Sequence, residues 1–145
     1  MPITVNNFDR FRREVHAEQR RRVERAAIVV DRNAKRLLSI SGTGVMGALG
    51  VVRAVKATRR KIYGAFPSAP GEPPRKQTGH LRRSVTREVL PGDSPIARVG
   101  TNVKYGRWLE LGTSRMQPRP WLVRAFREMY PQVKAILSAP FQFRA

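Results

Sequence analysis

Cysteine is absent from this 145-residue chain, which excludes disulfides, thiol nucleophiles and thiolate metal sites. Acidic residues are scarce: 10 Asp and Glu stand against 29 Lys and Arg. Histidine occurs only as His16 and His80. A metal centre would need both imidazoles and carboxylates drawn from separate segments, so no metal or other cofactor is expected. No run approaches the roughly 20 apolar residues needed to cross a bilayer, so no membrane partner is expected. The first residues lack a charged start followed by a long apolar block, and no signal peptide is read there. What is present is 41% apolar residues, including two Trp. That suffices for one modest core, so a single domain over residues 1–145 is expected.

The formal net charge is +19. It is not an appended tail, because residues 1–62 and 63–145 carry nearly equal excesses of cations. Such a protein seeks polyanions: nucleic acid, an acidic protein surface or anionic lipid. Most of the cations are Arg, whose planar fork pairs with carboxylates and phosphates alike, so both kinds of partner stay open.

The spacing predicts a long helix over residues 7–38, with Asn7 as its cap and a break near Arg20–Arg22 where apolar positions thin out. Phe8, Phe11, Val15, Val23, Ala26, Ala27, Val30, Ala34, Leu37 and Leu38 recur at three- and four-residue steps. Arginines, Arg22 among them, fill the opposite face. Residues 41–80 read as a basic Gly- and Pro-rich loop and arm. Gly42-x-Gly44 lacks the Gly-Lys-Ser/Thr ending of a phosphate loop. Arg53, Lys56, Arg59, Arg60 and Lys61 form a basic run fit to touch DNA or a partner. Prolines 67, 70, 73 and 74 favour an extended arm suited to draping over a neighbour.

From Leu81 the pattern turns to strands. Val85, Arg87 and Val89 alternate with Thr86, Glu88 and Leu90. Residues 91–95 form a turn, and Ala97, Val99, Thr101 and Val103 the return strand. Tyr105, Trp108, Leu109 and Leu111 predict a short helix stopped by Gly112, which can take positive φ. Thr113 can bond backbone groups in the turn that follows. Pro118 and Pro120 set the entry of a last helix, with Pro120 as its first residue. Leu122, Phe126, Met129, Tyr130, Val133, Ile136 and Leu137 form its apolar stripe, bent at Pro131. The tail, residues 138–145, carries Phe141 and Phe143, aromatics fit to hook a partner. The fold class is α+β: an antiparallel sheet packed by a long N-terminal helix and a C-terminal helix.

No catalytic set stands out, and no enzymatic activity is expected. His80 with Glu110 could form an acid/base pair, as in a small basic nuclease, but a histidine in a turn beside strands explains it more simply. Glu110, among Arg107, Arg115 and Arg119, is the best candidate for an ion pair reaching across subunits.

Two runs carry a resemblance. The first is Pro70-Gly71-Glu72-Pro73-Pro74 followed by Thr78-Gly79-His80-Leu81-Arg82-Arg83-Ser84. The second is Tyr105, Leu109-Glu110-Leu111-Gly112-Thr113-Ser114, Met116 and Pro120-Trp121-Leu122. Together, in this order across a hairpin, they resemble the tail-component and head–tail joining proteins of long-tailed bacteriophages. The resemblance covers roughly residues 62–127. It implies a structural virion protein of the tail or neck, assembled in the host cytoplasm as a ring of about six copies. Such a ring completes the tail around the DNA channel and meets neck, adaptor or stopper proteins and tail-tube or terminator proteins. Double-stranded DNA passes through its lumen. A tail terminator ring is the near alternative, and a basic nucleic-acid-binding protein is the alternative of another class. Because DNA must slide, many arginines are expected to face partner proteins.

Overall fold

The computed structural model describes residues 6–39, 68, 70–76 and 78–141, with side chains from residue 8 onward. The basic run Arg53, Lys56, Arg59, Arg60 and Lys61, the Gly-containing stretch around it, and Phe143 lie outside the described residues.

The elements in sequence order are α1 (Asn6–Leu37), α2 (His80–Ser84), β1 (Val85–Leu90), β2 (Ile96–Thr101), α3 (Lys104–Leu111) and α4 (Leu122–Ser138). This is an α+β arrangement with a two-stranded antiparallel sheet. The helix α1 is unbroken, so the expected interruption near Arg20–Arg22 is absent. It begins at Asn6, which places Asn7 inside the helix and not at its cap. At about 1.5 Å per residue its 32 residues span roughly 48 Å, nearly twice the length of α4. Phe8 and Phe11 near its start are exposed.

The inner face of α1 is built from small residues. Ala26, Ala27, Val30, Ala34, Leu37 and Leu38 are buried. Ala34 and Ala125 both have 0% exposure and share one apolar cluster with Leu81, Val85 and Trp121. Two alanines at the contact let the backbones of α1 and α4 approach, so a buried polar group reaches across. Asn33 Nδ2 donates to the Ala125 carbonyl at 3.0 Å and to Glu128 Oε2 at 3.1 Å. A second cluster, Ala26, Val30 and Val133, lies further along the same pair of helices, and Val99 of β2 packs against both.

The hairpin pairs Val85 with Thr101, Arg87 with Val99 and Val89 with Ala97. Side chains alternate between faces. Val85 and Val99 meet the core, while Glu88, Ile96 and Arg98 are exposed. Asp31 on α1 is 3% exposed. Its carboxylate takes Lys35 at 2.8 Å and Arg87 at 3.4 Å, tying α1 to β1.

Three sequence expectations are corrected here. Residues 80–84 form the one-turn helix α2, and the strand starts only at Val85. Thr78 Oγ1 accepts the His80 N–H at 3.3 Å, and Gly79 at φ 74° turns the backbone into α2. Second, Arg22 does not belong to the solvent face. It is buried, and its guanidinium meets Glu18 Oε1 at 3.2 Å, donates to the carbonyl of Ala139 and reaches that of Pro140 at 2.8 Å. It also stacks 4.1 Å from the centre of the Phe141 ring. The tail at Phe141 is therefore held against its own α1. Third, the apolar stripe of α4 divides. Ala125, Met129, Val133 and Ile136 face α1, whereas Val123, Phe126, Tyr130 and Leu137 are exposed. The helix runs through Pro131, on its exposed side.

Glu128 gathers the outer edge of the α1–α4 contact, meeting Asn33, Arg36 at 2.8 Å and Arg124 at 3.1 Å. The Asn33 hydrogen bond is the main cause that holds its carboxyl below the ordinary 4.5, helped by Arg124 and Arg36 and opposed by desolvation. A carboxyl with a lowered folded pKa contributes stability above its unfolded value and loses it as pH falls. Glu128→Gln is thus expected to melt below wild type at pH 7. The gap should stay constant above about pH 5 and shrink as pH falls through the folded value, in paired thermal melts across that range.

Candidate functional site

The two runs that carry the family resemblance fold against each other. The first, Pro70–Leu81, lies on the second, Tyr105–Leu122, through the Gly71 N–H, which donates to the Pro118 carbonyl at 3.0 Å. Gly71 sits at φ 80° in a turn, and Pro74 is buried. At Gly71 the arm is therefore tied to its own protomer. Ordering it there satisfies a loop carbonyl that would otherwise need water.

The helix α3 begins the second run. Tyr105 Oη lies 3.2 Å from His80 Nδ1, which joins α3 to the start of α2. Gly106 is buried where α3 crosses the hairpin end. A Cβ there would stand 2.6 Å from Thr101 Cγ2 and 3.0 Å from Leu81 Cδ1, so any other residue would force those side chains to shift. Its carbonyl accepts the Trp121 Nε1–H at 3.2 Å, and Trp121 is 1% exposed. Gly106 does not stand out in the sequence, because its need arises from residues distant from it there.

Gly112 ends α3 at φ 76°, and its N–H bonds the Trp108 carbonyl at 2.8 Å. A Cβ at Gly112 would meet Met116 O at 2.8 Å and Pro118 N at 2.9 Å. Thr113 closes the following turn by exchanging backbone bonds with Met116, at 2.8 and 3.2 Å, while its hydroxyl accepts the Arg115 N–H. The Arg119 N–H then donates to the Leu109 carbonyl at 2.7 Å. These bonds return the backbone antiparallel to α3 and aim Trp121 at the core.

Glu110 takes a role different from the one expected. Its Oε2 accepts the N–H groups of Trp121 at 2.8 Å and Leu122 at 2.9 Å, and its Oε1 accepts that of Val123 at 2.9 Å. Among the described residues it forms no ion pair with Arg107, Arg115 or Arg119. It also forms no hydrogen bond with His80. A helix start leaves its first N–H groups without intrahelical partners, and its dipole favours an anion there. One carboxylate satisfies three of those groups from outside the helix. Pro120 accordingly precedes the N-cap residue Trp121 instead of opening the helix.

Around this junction lie exposed aromatic and aliphatic side chains. Tyr105, Trp108 and Leu111 line one side of α3, and Val123, Phe126, Tyr130 and Leu137 one side of α4. Phe126 and Tyr130 pack edge to face, with centroids 6.0 Å apart. Among the described residues no three metal-ligating side chains cluster, and no helix is long and apolar enough to cross a membrane. Comparison of the sequence and fold with family models, with curated proteins and with solved structures returns no match.

Glu110→Gln keeps the shape and removes the charge that three N–H groups share. It is expected to cost about 1–3 kcal/mol, read as a lower denaturation midpoint with unchanged slope. Gly112→Ala should cost at least as much, because it combines a strained φ with two backbone clashes.

Proposed function

We propose that this is a structural virion protein that assembles as a ring at the head–tail junction of a long-tailed bacteriophage, completing the tail around the DNA channel. The observation that carries this reading is the junction itself. The two runs resembling head–tail joining proteins meet through Gly71 with Pro118 and His80 with Tyr105, and within the second run Glu110 and Gly106 hold Trp121. Their residues build a hydrogen-bonded corner, and apolar side chains of α3 and α4 are left exposed. Large exposed apolar side chains on a protein this charged, Phe126 and Tyr130 packed together among them, support an interaction face.

Physical features support the same reading. The hairpin is two-stranded, so each strand keeps one edge unpaired by any other described strand. The outward stripe of α4 repeats at steps of three, four and seven residues, as a helix does when it meets another surface. The start of α1 reaches beyond the end of α4, which Arg22 marks by holding Ala139 and Pro140. This overhang presents Arg10, Arg12, Arg13, Arg20 and Arg21 to solvent. In a ring it would meet an acidic neighbour or the DNA. The exposed arginines also favour the second reading, a nucleic-acid binder.

The ring reading expects a species of about six times the 16.5 kDa protomer, alone or on a partner ring, in native mass spectrometry. The pair Phe126→Ser with Tyr130→Ser should abolish it and leave the melt of the single protomer nearly unchanged, since both residues are exposed. A protein that stays monomeric and joins no neck or tail ring would contradict this reading. The second reading is favoured instead if duplex DNA binds at sub-micromolar Kd in about 150 mM salt, with a log–log salt slope set by several phosphate contacts.

A further inference from the structure

The packing face of α1 continues past the point where its partner helix stops. α4 runs antiparallel to α1: Asn33 meets Ala125, Val30 packs with Val133, and Arg22 bonds the carbonyls of Ala139 and Pro140. α4 itself ends at Ser138. Residues three, four and seven apart share one side of a helix. Val15 stands seven residues before Arg22, and Phe11 and Phe8 stand four and seven before Val15. The buried stripe of Ala26, Val30 and Ala34 is thus prolonged toward the start of α1 by Val15, Phe11 and Phe8. Val15 is half-buried, Phe11 is 49% exposed and Phe8 70%. A helical stretch as short as residues 6–21 is only marginally stable in water by itself, and packing of its apolar face is what holds such a stretch in proteins.

The end of the described chain leads onto this face. Ala139 has φ −57° and ψ 142°, so the backbone leaves α4 extended, and Pro140 follows. The Arg22 guanidinium leans one turn back to Glu18, at 3.2 Å, and lies 4.1 Å from the centre of the Phe141 ring. Phe141 is therefore level with Glu18, and the antiparallel run carries the chain toward the start of α1. In an extended segment, residues two apart face the same side. Phe143 stands in that relation to Phe141, about 7 Å further along. At about 1.5 Å per residue this equals roughly four to five residues of α1 and ends between Phe11 and Val15. We propose that the segment after Phe141, residues 142–145, lies along α1 as a strap, with Phe143 seated on Phe11 and Val15. The strap prolongs the contact that Arg22 begins and fixes the first half of α1 to the C-terminal end of the same protomer. The contact is internal to one protomer, so it is expected whether or not that protomer assembles.

Two measurements on the full chain test this. The first is amide hydrogen exchange, which reads local opening along α1. Phe143→Ser should speed exchange over residues 11–19 by about tenfold or more and leave residues 26–37 unchanged. Phe143→Leu, which keeps an apolar side chain, should restore most of the protection. Unchanged exchange over residues 11–19, an equal gain over residues 26–37, or no recovery with leucine would each overturn the proposal. The second measurement uses the absence of native cysteine. Val15→Cys combined with Phe143→Cys is treated with a short thiol-to-thiol crosslinker and read by denaturing mass spectrometry. Ala17→Cys combined with Phe143→Cys is the control, since Ala17 is exposed on the opposite side of α1. A crosslink within one chain, formed about tenfold faster with Val15→Cys than with Ala17→Cys, is the expected result. Equal rates in the two pairs would contradict the strap. A crosslink formed mainly between chains would assign the face to the tail of a second copy and would overturn the proposal as well.

Discussion

One carboxylate organises the junction. Glu110 comes from α3 and closes the start of α4, accepting three consecutive backbone N–H groups. Without it, α4 would begin on unsatisfied donors beside a buried tryptophan. With it, the entry of α4 is fixed relative to α3, and Trp121 is set into the core with its indole N–H on the Gly106 carbonyl. The packing of α4 along α1 follows from that entry, as does the outward face that α4 shows to solvent. Acids are few in this protein, and this one is committed to a backbone role that no arginine nearby competes for.

The long helix is legible from its apolar spacing, and the hairpin from strict alternation on either side of residues 91–95. Gly112 is legible as well, because a glycine after a short apolar helix is a local signal. Glu110 is not. Its partners are backbone groups that begin 11 residues later, and nothing in side-chain identity announces them. Surrounding arginines make an ion pair the simpler expectation. Gly106 is hidden for the same reason, since its need comes from Thr101 and Leu81 pressing on it in space. The one-turn helix α2 is too short to show a period. Arg22 looks like part of a charged face because burial of a cation is announced only by its partners, here two carbonyls more than a hundred residues away.

The high positive charge takes on a different meaning once these placements are known. Some of it is structural: Arg22 holds the tail, Arg36 and Arg124 hold Glu128, and Arg87 reaches Asp31. The arginines of the α1 overhang face solvent instead, where other molecules can meet them. The arm and Phe141 each make a contact within their own protomer, Gly71 with Pro118 and Phe141 with Arg22. Among the described residues, the apolar side of α3 and α4, the open sheet edges and the arginines of α1 are exposed.

The position of this protein in an intact phage particle, seen by electron microscopy, tests the central claim most directly. The account predicts a ring at the head–tail junction in which Trp108, Phe126 and Tyr130 are covered by neighbouring subunits. Density for the protein elsewhere, or a ring in which those residues face solvent, would contradict it.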